Sequence, residues 1–233
     1  MKIALLGYGK MGKTIEKLAI EAGHEIVFKS TTTKETGSLK DAAVAIEFST
    51  PEAAVANITM CIEHQIPVVC GTTGWLDKLS LIKKTCEERN GTFLYASNFS
   101  VGVNLFFSLN EKLAKLMAPW DDYSVSLEEI HHLEKKDAPS GTAITIADSI
   151  IAKTQNIEGW SLESNKDNTL HISAKRIADV KGTHTVTYES DIDEIAITHK
   201  AKNRIGFAKG ALLAADFIKD KKGLFTMQDV LKL

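Results

Sequence analysis

The densest group of chemically active side chains lies in the segment Glu128–Thr142, which reads EEIHHLEKKDAPSGT. His131 and His132 are adjacent at the end of a predicted strand, so their side chains should point to opposite faces. Lys135 follows in a loop, where side chains can converge on a ligand. Such a set could move protons and bind an anion. The spacing alone leaves open a plainer alternative, a solvated charged loop between a strand and a helix.

Ser140 is predicted to cap the helix that follows this segment. A cap at Ser140 would leave the N–H groups of Gly141 and Thr142 available to an anion, such as a substrate carboxylate. A metal site is disfavoured, because adjacent histidines that point to opposite faces do not ligate one ion easily, and no Cys or His partner spacing accompanies them. We therefore predict proton transfer and anion binding without a metal.

A second chemical feature is the glycine loop GYGKMG at residues 7–12, which has the pattern G-x-G-x-x-G. It follows the predicted strand Lys2–Leu6 and opens a predicted helix, which is the context that such a loop requires. Gly7 would permit the tight turn, Gly9 would let the backbone approach a pyrophosphate, and Gly12 would allow close packing of helix on strand. The loop predicts a dinucleotide site, and the alternative is a tight turn that binds nothing.

The choice of dinucleotide depends on the end of the second predicted strand, Glu25–Phe28. An NAD site usually has Asp or Glu there, but this chain has Lys29, followed by Ser30 and three threonines. A lysine would attract the 2′-phosphate of NADPH, so the sequence favours NADPH and leaves NADH open. The alternative is that Lys29 is only a solvated charge at a strand end.

Strands and helices alternate up to about Ser100, which is typical of βαβ units and a parallel sheet. Several strands are apolar at consecutive positions, as in AVAI and IPVV, so the sheet should be covered on both faces. The predicted elements of this region, after the first strand, are a helix over Met11–Ala22, strands at Glu25–Phe28, Ala43–Phe48, Ile66–Cys70 and Phe93–Ala96, and helices from Thr50 to His64 and from Asp77 to Arg89.

The pattern changes after Ser100 to that of an α+β domain. Helices are predicted over Leu105–Met117 and Ser140–Thr154, and alternating strands over Thr183–Glu189 and Glu194–His199, in a largely antiparallel sheet. A further amphipathic helix over 206–219 returns to the first pattern. We therefore predict a dinucleotide-binding domain made of 1–100 and 206–233, with an α+β domain, 101–205, inserted in it.

Composition excludes several classes of protein. The chain has 28 basic and 30 acidic residues and a formal net charge of -2, which gives no general attraction to nucleic acid or to an anionic membrane. The uncharged stretch from 90 to 110 is too polar for a membrane span, and no signal peptide is visible. Cys61, Cys70 and Cys86 form no C-x-x-C pair, so buried, reduced thiols in a cytoplasmic protein are expected.

Taken together, the motifs resemble the dihydrodipicolinate reductase family. They are GYGKMG at 7–12, GTTG at 71–74, ASNFSVGVN at 96–104, HHLEKKDAPSGTA at 131–143 and GTHTV at 182–186, in the family's order over essentially the whole chain. The resemblance implies a Rossmann-like α/β domain, an inserted α+β domain with an open mixed or antiparallel sheet, and a cytoplasmic homotetramer built through those sheets. It also implies reduction of a cyclic dicarboxylate, 4-hydroxy-tetrahydrodipicolinate, to tetrahydrodipicolinate by NADPH or NADH, with loss of water, in diaminopimelate and lysine biosynthesis.

The resemblance also carries roles onto matching residues. His131 would be the proton donor or acceptor position and Lys135 the proton donor, and substrate would contact His132 and the helix start at Ser140, Gly141 and Thr142. The residues expected to bind the cofactor are Gly7, Tyr8, Gly9, Lys10, Met11, Gly12, Lys29, Gly71, Thr72, Thr73, Ala96, Ser97, Asn98 and Phe99. Of these, Lys29 comes from the strand-end argument, and the seven residues from Gly71 onwards would lie at the nicotinamide end.

The chain departs from the family in two places. It is short between Ser30 and Asp41, where a helix is expected between the second and third strands, and Leu133 and Glu134 stand where some members have basic residues. Arg176, His184 and Arg204 are further polar candidates in the inserted domain. For these three, pairing between strands or between subunits is an equal alternative.

Two other functions compete with this interpretation. Another two-domain NAD(P) enzyme, such as an amino-acid or semialdehyde dehydrogenase, would need a catalytic Cys or a Lys–Asp pair in the inserted domain, but all three cysteines precede it. A non-catalytic nucleotide sensor would not need His131 and Lys135 beside an anion-binding helix start.

Overall fold

The computed structural model describes residues 1–164, 166–203 and 205–233 of the chain. These residues form two compact units, the first made of 1–101 and 205–233 and the second of 102–204. Arg204, one of the polar candidates from the sequence, lies outside the described residues. None of the helices among the described residues is both long enough and apolar enough to cross a membrane.

The elements are as follows. The strands are β1 (Lys2–Leu6), β2 (Glu25–Ser30), β3 (Glu35–Gly37), β4 (Val44–Glu47), β5 (Val68–Cys70), β6 (Thr92–Tyr95), β7 (Ser124–His131), β8 (Gly159–Ser161), β9 (Thr169–Arg176), β10 (Thr183–Glu189), β11 (Glu194–Lys200) and β12 (Gly223–Phe225). The helices are α1 (Lys10–Glu21), α2 (Pro51–Glu63), α3 (Leu79–Glu88), α4 (Val101–Met117), α5 (Gly141–Ile151), α6 (Ile205–Ile218) and α7 (Met227–Leu231).

The described part of the first unit contains a seven-stranded sheet in the order β12–β6–β5–β4–β1–β2–β3. Every pairing is parallel except that of β2 with β3. Along β1, Ile3 and Leu5 pack into a core with α1 and α6, whereas Ala4 and Leu6 pack into a second core with α2 and α3. This confirms a parallel sheet covered on both faces, since consecutive apolar residues are buried on opposite sides.

The segment after β2 differs from the helix that the family resemblance leads one to expect. It turns back as β3, which pairs antiparallel with β2 and places Glu35 opposite Ser30. A short 3₁₀ turn, Leu39–Asp41, then leads into β4. The residues between β2 and β4 are thus used for a hairpin strand and a 3₁₀ turn, and no covering helix forms among them.

The second unit has a five-stranded sheet in its described residues, in the order β11–β10–β7–β9–β8. Its core lies on one face, where Leu127, Ile172 and Val186 pack against residues of α4 and α5. The prediction of a largely antiparallel sheet was wrong in part, because β9 pairs parallel with both β7 and β8. The chain between β7 and β9 contains α5, and such a crossover is what a parallel pairing requires.

Candidate active site

The glycine loop of the first unit has the local geometry that its three glycines predict. Gly7 has a φ of +93°, and a Cβ there would overlap the carbonyl oxygen of Phe48. A Cβ at Gly12 would overlap the carbonyl oxygen of Gly7, so α1 packs directly on the turn. Gly9 caps α1 and has open space where a Cβ would be. The backbone of Gly9 is therefore accessible to a phosphate at the positive end of a helix.

A cleft of about 340 Å³ opens beside this loop, at the carboxyl ends of β1, β2 and β4. Ligands of parallel sheets bind at this edge. The residues that line the cleft are Gly7, Tyr8, Gly9, Ser30, Thr31, Thr32, Glu35, Phe48, Ser49, Thr50, Ala53 and Asn57. Among these described lining residues, Glu35 carries the only charge. It stands on the returning strand β3, which sequence reasoning did not predict.

Lys29 is held by an acid instead of lining the cleft. Its Nζ lies 2.9 Å from Oε1 of Glu16 and 4.9 Å from the ring centroid of Tyr8. The Tyr8 hydroxyl donates a hydrogen bond to the other oxygen of Glu16, which lowers the pKa of that carboxyl. A 2′-phosphate would have to compete with Glu16 for the ammonium of Lys29.

Glu47, at the end of β4, supports the cleft and was not predicted from the sequence. Its side chain is fully buried. Its Oε1 accepts from the Ser49 N–H at 3.0 Å, and its Oε2 accepts from Sγ of Cys70 at 3.1 Å. The Ser49 N–H also donates to Oγ1 of Thr72 at 2.8 Å. The carboxylate therefore joins the loops after β4 and β5, and an acid that ends the apolar run AVAIE was the available signal.

The residues predicted for the nicotinamide end follow β5 and β6. Thr72 and Asn98 are buried, and Phe99 is a core residue whose ring centroid lies 5.7 Å from that of Phe48. None of the described residues 71–73 and 96–99 lines the cleft itself. They support two lining residues, since Thr72 bonds Ser49 and Phe99 packs on Phe48.

The second unit gathers a polar cluster at the end of its sheet. Alternation along β7 places Leu127, Glu129 and His131 on the covered face. In the strand register, His184 of β10 lies opposite Glu129, and Arg176 of β9 lies opposite His131. Four polar side chains from three strands thus meet at one end of an otherwise apolar core.

Glu129 is the centre of this cluster and has no exposed side-chain surface. Its Oε2 lies 3.4 Å from Nδ1 of His131 and 3.7 Å from Nε2 of His184, and it accepts the Ser140 N–H at 3.1 Å. Both terminal nitrogens of Arg176 lie 3.3 Å from Oε1. Sequence reasoning missed Glu129, although an acid in phase with Leu127 on an alternating strand was a usable signal.

The two central groups have strongly shifted pKa values. Burial alone would raise the pKa of Glu129, but the contacts with His184 and Ser140, together with the nearby charge of His131, lower it to about 2. Burial lowers the pKa of His131 to about 4; Glu129 opposes this shift, and His184, Lys135 and Arg176 add to it. At neutral pH the cluster therefore contains an ionised carboxylate and a neutral His131.

The predicted helix cap is present. Ser140 is the N-cap of α5, and its Oγ accepts the Ala143 N–H at 3.1 Å. The same Oγ lies 3.2 Å from Nε2 of His184, which links the cap to the polar cluster. Gly141 has open space where a Cβ would be, so the first turn of α5 can be approached closely.

Lys135 lies in the loop between β7 and α5, with about a fifth of its side chain exposed. Its Nζ contacts both carboxylate oxygens of Asp137, at 2.8 and 2.7 Å. Burial would raise the pKa of Asp137, but the hydrogen bond and charge of Lys135 lower it. The ammonium is thus partly desolvated and held against an anion that a substrate carboxylate could replace.

The adjacent histidines have different surroundings, as their positions predict. His131 faces Glu129 and His184, with its ring centroid 5.2 Å from that of His184. Nδ1 of His132 lies 3.0 Å from Oε2 of Glu134, and His132 lines a separate cavity of about 410 Å³ with Lys181 and other residues of the second unit.

Three of the clustered residues could in principle ligate a metal ion. Glu129, His131 and His184 each offer a ligand atom, and these atoms lie within 4.8 Å of one another. Sequence reasoning considered only the adjacent histidines and did not foresee this trio. However, Arg176 contacts one carboxylate oxygen and the Ser140 N–H contacts the other. Both carboxylate oxygens of Glu129 therefore already accept N–H groups, so these residues fit an ion-pair network better than a metal site.

Comparison with known proteins identifies relatives over both units. Residues 1–99 match the family model for the N-terminus of dihydrodipicolinate reductase, and residues 102–231 match the model for its C-terminus. The chain is 55% identical over 233 residues to the 4-hydroxy-tetrahydrodipicolinate reductase of Christiangramia forsetii, covering 99% of this chain and 98% of that relative. It is 33% identical over 229 residues to the protein of that name from Neisseria meningitidis serogroup B, covering 94% and 84%.

A solved structure has a similar fold. Dipicolinate-bound dihydrodipicolinate reductase from Paenisporosarcina sp. TG-14 superposes with a TM-score of 0.76 and covers 97% of each chain, at 20% sequence identity. This likeness confirms the Rossmann-type α/β architecture with a second mixed-sheet domain.

Proposed function

The chain belongs to the dihydrodipicolinate reductase family, and we propose that it reduces 4-hydroxy-tetrahydrodipicolinate to tetrahydrodipicolinate with loss of water, using NADPH or NADH. The step belongs to diaminopimelate and lysine biosynthesis. The observation that carries the proposal is the 55% identity to a reductase of that name over nearly the full length of both chains. The glycine-loop cleft and the Lys135 segment supply a site for each reactant.

The cofactor belongs in the cleft of the first unit. The open space at Gly9 and the N-terminus of α1 fit a pyrophosphate, so residues from Gly7 to Gly12 would hold it. The nicotinamide end would be supported by the loops 71–73 and 96–99, to which the family resemblance assigns that role. When bound, the reduced nicotinamide supplies the hydride.

The substrate belongs at the polar cluster of the second unit. Its two carboxylates would be bound by the ammonium of Lys135 and by the N–H groups at the start of α5, at Ser140, Gly141 and Thr142, with His132 as a further contact. Substrate binding would replace the hold of Asp137 on Lys135.

Lys135 would be the proton donor. Hydride addition to a conjugated imine builds negative charge on the substrate, which a nearby ammonium stabilises and then protonates. His131, with its pKa near 4, is neutral at physiological pH and has no proton of its own to spare for this step. The resemblance allows His131 to donate or to accept a proton. We therefore propose that it accepts one and that Glu129 orients its ring.

We also propose a homotetramer that works in the cytoplasm. Among its described residues, the second unit's sheet has one face without covering helices, where Glu128 pairs with Lys175 and Thr185 with Thr198. A sheet face that no helix covers is suited to pairing with another copy. The three buried, unpaired cysteines are suited to a reducing compartment. Light scattering on the eluting protein should give four times the 25.5-kDa chain mass, and a monomer mass would contradict the assembly.

A coupled assay tests the function. The chain is added to a dihydrodipicolinate synthase with pyruvate and aspartate semialdehyde, and the absorbance of NADPH or NADH is followed. We expect oxidation that depends on all components with at least one of the two cofactors. Absence of oxidation with both would refute the proposed reaction.

A further inference from the structure

The guanidinium of Arg176 ties the loop that carries Lys135 to the sheet. Arg176 ends β9, with about a fifth of its side chain exposed. Its Nε donates to the carbonyl oxygen of Lys135 at 3.2 Å, and Nη2 donates to that of Asp137 at 2.6 Å. Nη1 donates to the carbonyl oxygen of Lys175 at 2.9 Å.

The remaining donors of this guanidinium bind Glu129. Nη1 and Nη2 both lie 3.3 Å from its Oε1. A guanidinium has five N–H groups in a fixed planar fork, and these contacts account for all five. An ammonium has three donors at one point, so a lysine here would lose at least two of these five contacts.

Glu129 fixes the same loop at its far end. While Oε1 holds Arg176, Oε2 accepts the N–H of Ser140, where the loop ends and α5 begins. Within the loop, the Lys135 N–H donates to the carbonyl oxygen of His132 at 3.2 Å, which closes only a local turn. The fully buried carboxylate therefore fixes the position of the end of the loop directly, and it fixes the middle of the loop through Arg176.

We propose that Arg176 is a positioning residue that, with Glu129, holds the backbone of Lys135 so that its ammonium reaches the reacting substrate. The inference rests on the proposed function for the role of Lys135. Arg176 acts through the two carbonyl groups and not by contact with substrate. It thereby links a strand of the sheet to the proton donor.

Arg176→Lys tests the proposal in the coupled assay. We expect kcat to fall about 10- to 100-fold, because small displacements of a catalytic group have costs of this size. The KM for the reduced cofactor should stay within about twofold, because the glycine-loop cleft is unchanged. Arg89→Lys, an exposed arginine after α3, is the matched control and should keep wild-type kcat. Wild-type kcat in Arg176→Lys would overturn the proposal.

A double-mutant cycle separates positioning from general stabilisation. In a Lys135→Ala background there is no ammonium to place, so Arg176→Lys should change the residual kcat by less than about threefold. An equal loss in both backgrounds would show a merely structural role and would overturn the proposal. Glu129→Gln provides a second variant if Arg176→Lys does not fold, with the same non-additivity expected.

Trypsin cleavage measures the anchoring without turnover. The peptide bonds after Lys135 and Lys136 should be cut at least about tenfold faster in Arg176→Lys than in wild type or Arg89→Lys. An unchanged cutting rate would overturn the anchoring. If wild type shows no reductase turnover, the proposed function fails, while the cutting rate still decides whether Arg176 holds the loop.

Discussion

Mild acid should destabilise this protein through His131. Burial lowers the pKa of this imidazole in the fold from 6.5 to about 4. Between these two pH values the unfolded chain binds a proton that the folded chain does not bind, so the free energy of unfolding falls as the pH falls. A shift of this size corresponds to about 3 kcal/mol at most, at about 1.4 kcal/mol per pKa unit. The loss begins near pH 6.5 and is complete near pH 4.

The assay is urea unfolding followed by circular dichroism, at pH 7 and at steps down to 4.5, at one protein concentration. His131→Gln should lose less stability on acidification than wild type, by up to about 3 kcal/mol. The contribution of Glu129 to stability is separable. Because its pKa is lowered in the fold, that contribution is lost only below pH 4.5, as the pH falls towards 2. Burial also lowers the pKa of His199, but that effect is present in both proteins.

His64→Gln is the matched control, because it makes the same substitution at an exposed histidine. Equal pH dependence in wild type and His131→Gln would refute the reasoning that His131 is buried in its neutral form. A smaller difference than about 1 kcal/mol would mean that the imidazole is better solvated than its surroundings indicate.

Three further predictions concern activity. Lys135→Ala should lower kcat at least about 100-fold, the usual size of a general-acid contribution, whereas Lys136→Ala should not; retained activity would remove the assigned role. Glu35→Gln should lower the KM for NADPH relative to that for NADH several-fold, because a 2′-phosphate would no longer meet a carboxylate in the cleft. Lys29→Ala should shift the ratio of the two KM values in favour of NADH. Unchanged ratios in both variants would show that neither residue determines the choice of cofactor. Glu47→Gln should cost about 1–3 kcal/mol in urea unfolding and raise the cofactor KM, by disturbing the Ser49 loop; unchanged values would contradict the network.

The sequence predicts best where local physics decides the structure. The glycine loop and the cap at Ser140 are each specified by a few neighbouring residues, and both are present. The alternation along β10 predicted its covered face, and the Thr50–Pro51 start of α2 was found at its predicted place. These features need no knowledge of which distant segments pair.

The features that the sequence did not reveal depend on distant contacts. β3, β8 and β12 have three residues each, too few for a visible pattern, and exist because a neighbouring strand supplies hydrogen bonds. The parallel pairing of β9 follows from the crossover through α5. Glu129 and Arg176 are 47 residues apart, so their ion pair has no local signature. Glu47 and Cys70 meet across neighbouring strands in the same way.

The discontinuity of the first unit has a consequence for the order in which the chain can fold during synthesis. α6 supplies much of one core of the sheet, and it lies so close that a Cβ at Gly210 would overlap the carbonyl oxygen of Phe99. The edge strand β12 is also added at the end. While the ribosome is making the inserted unit, the nascent sheet therefore has one apolar face covered only in part, by α1, and an unpaired edge. The second unit can complete its core first, and the half-built sheet is the stage at which the chain is most exposed to aggregation.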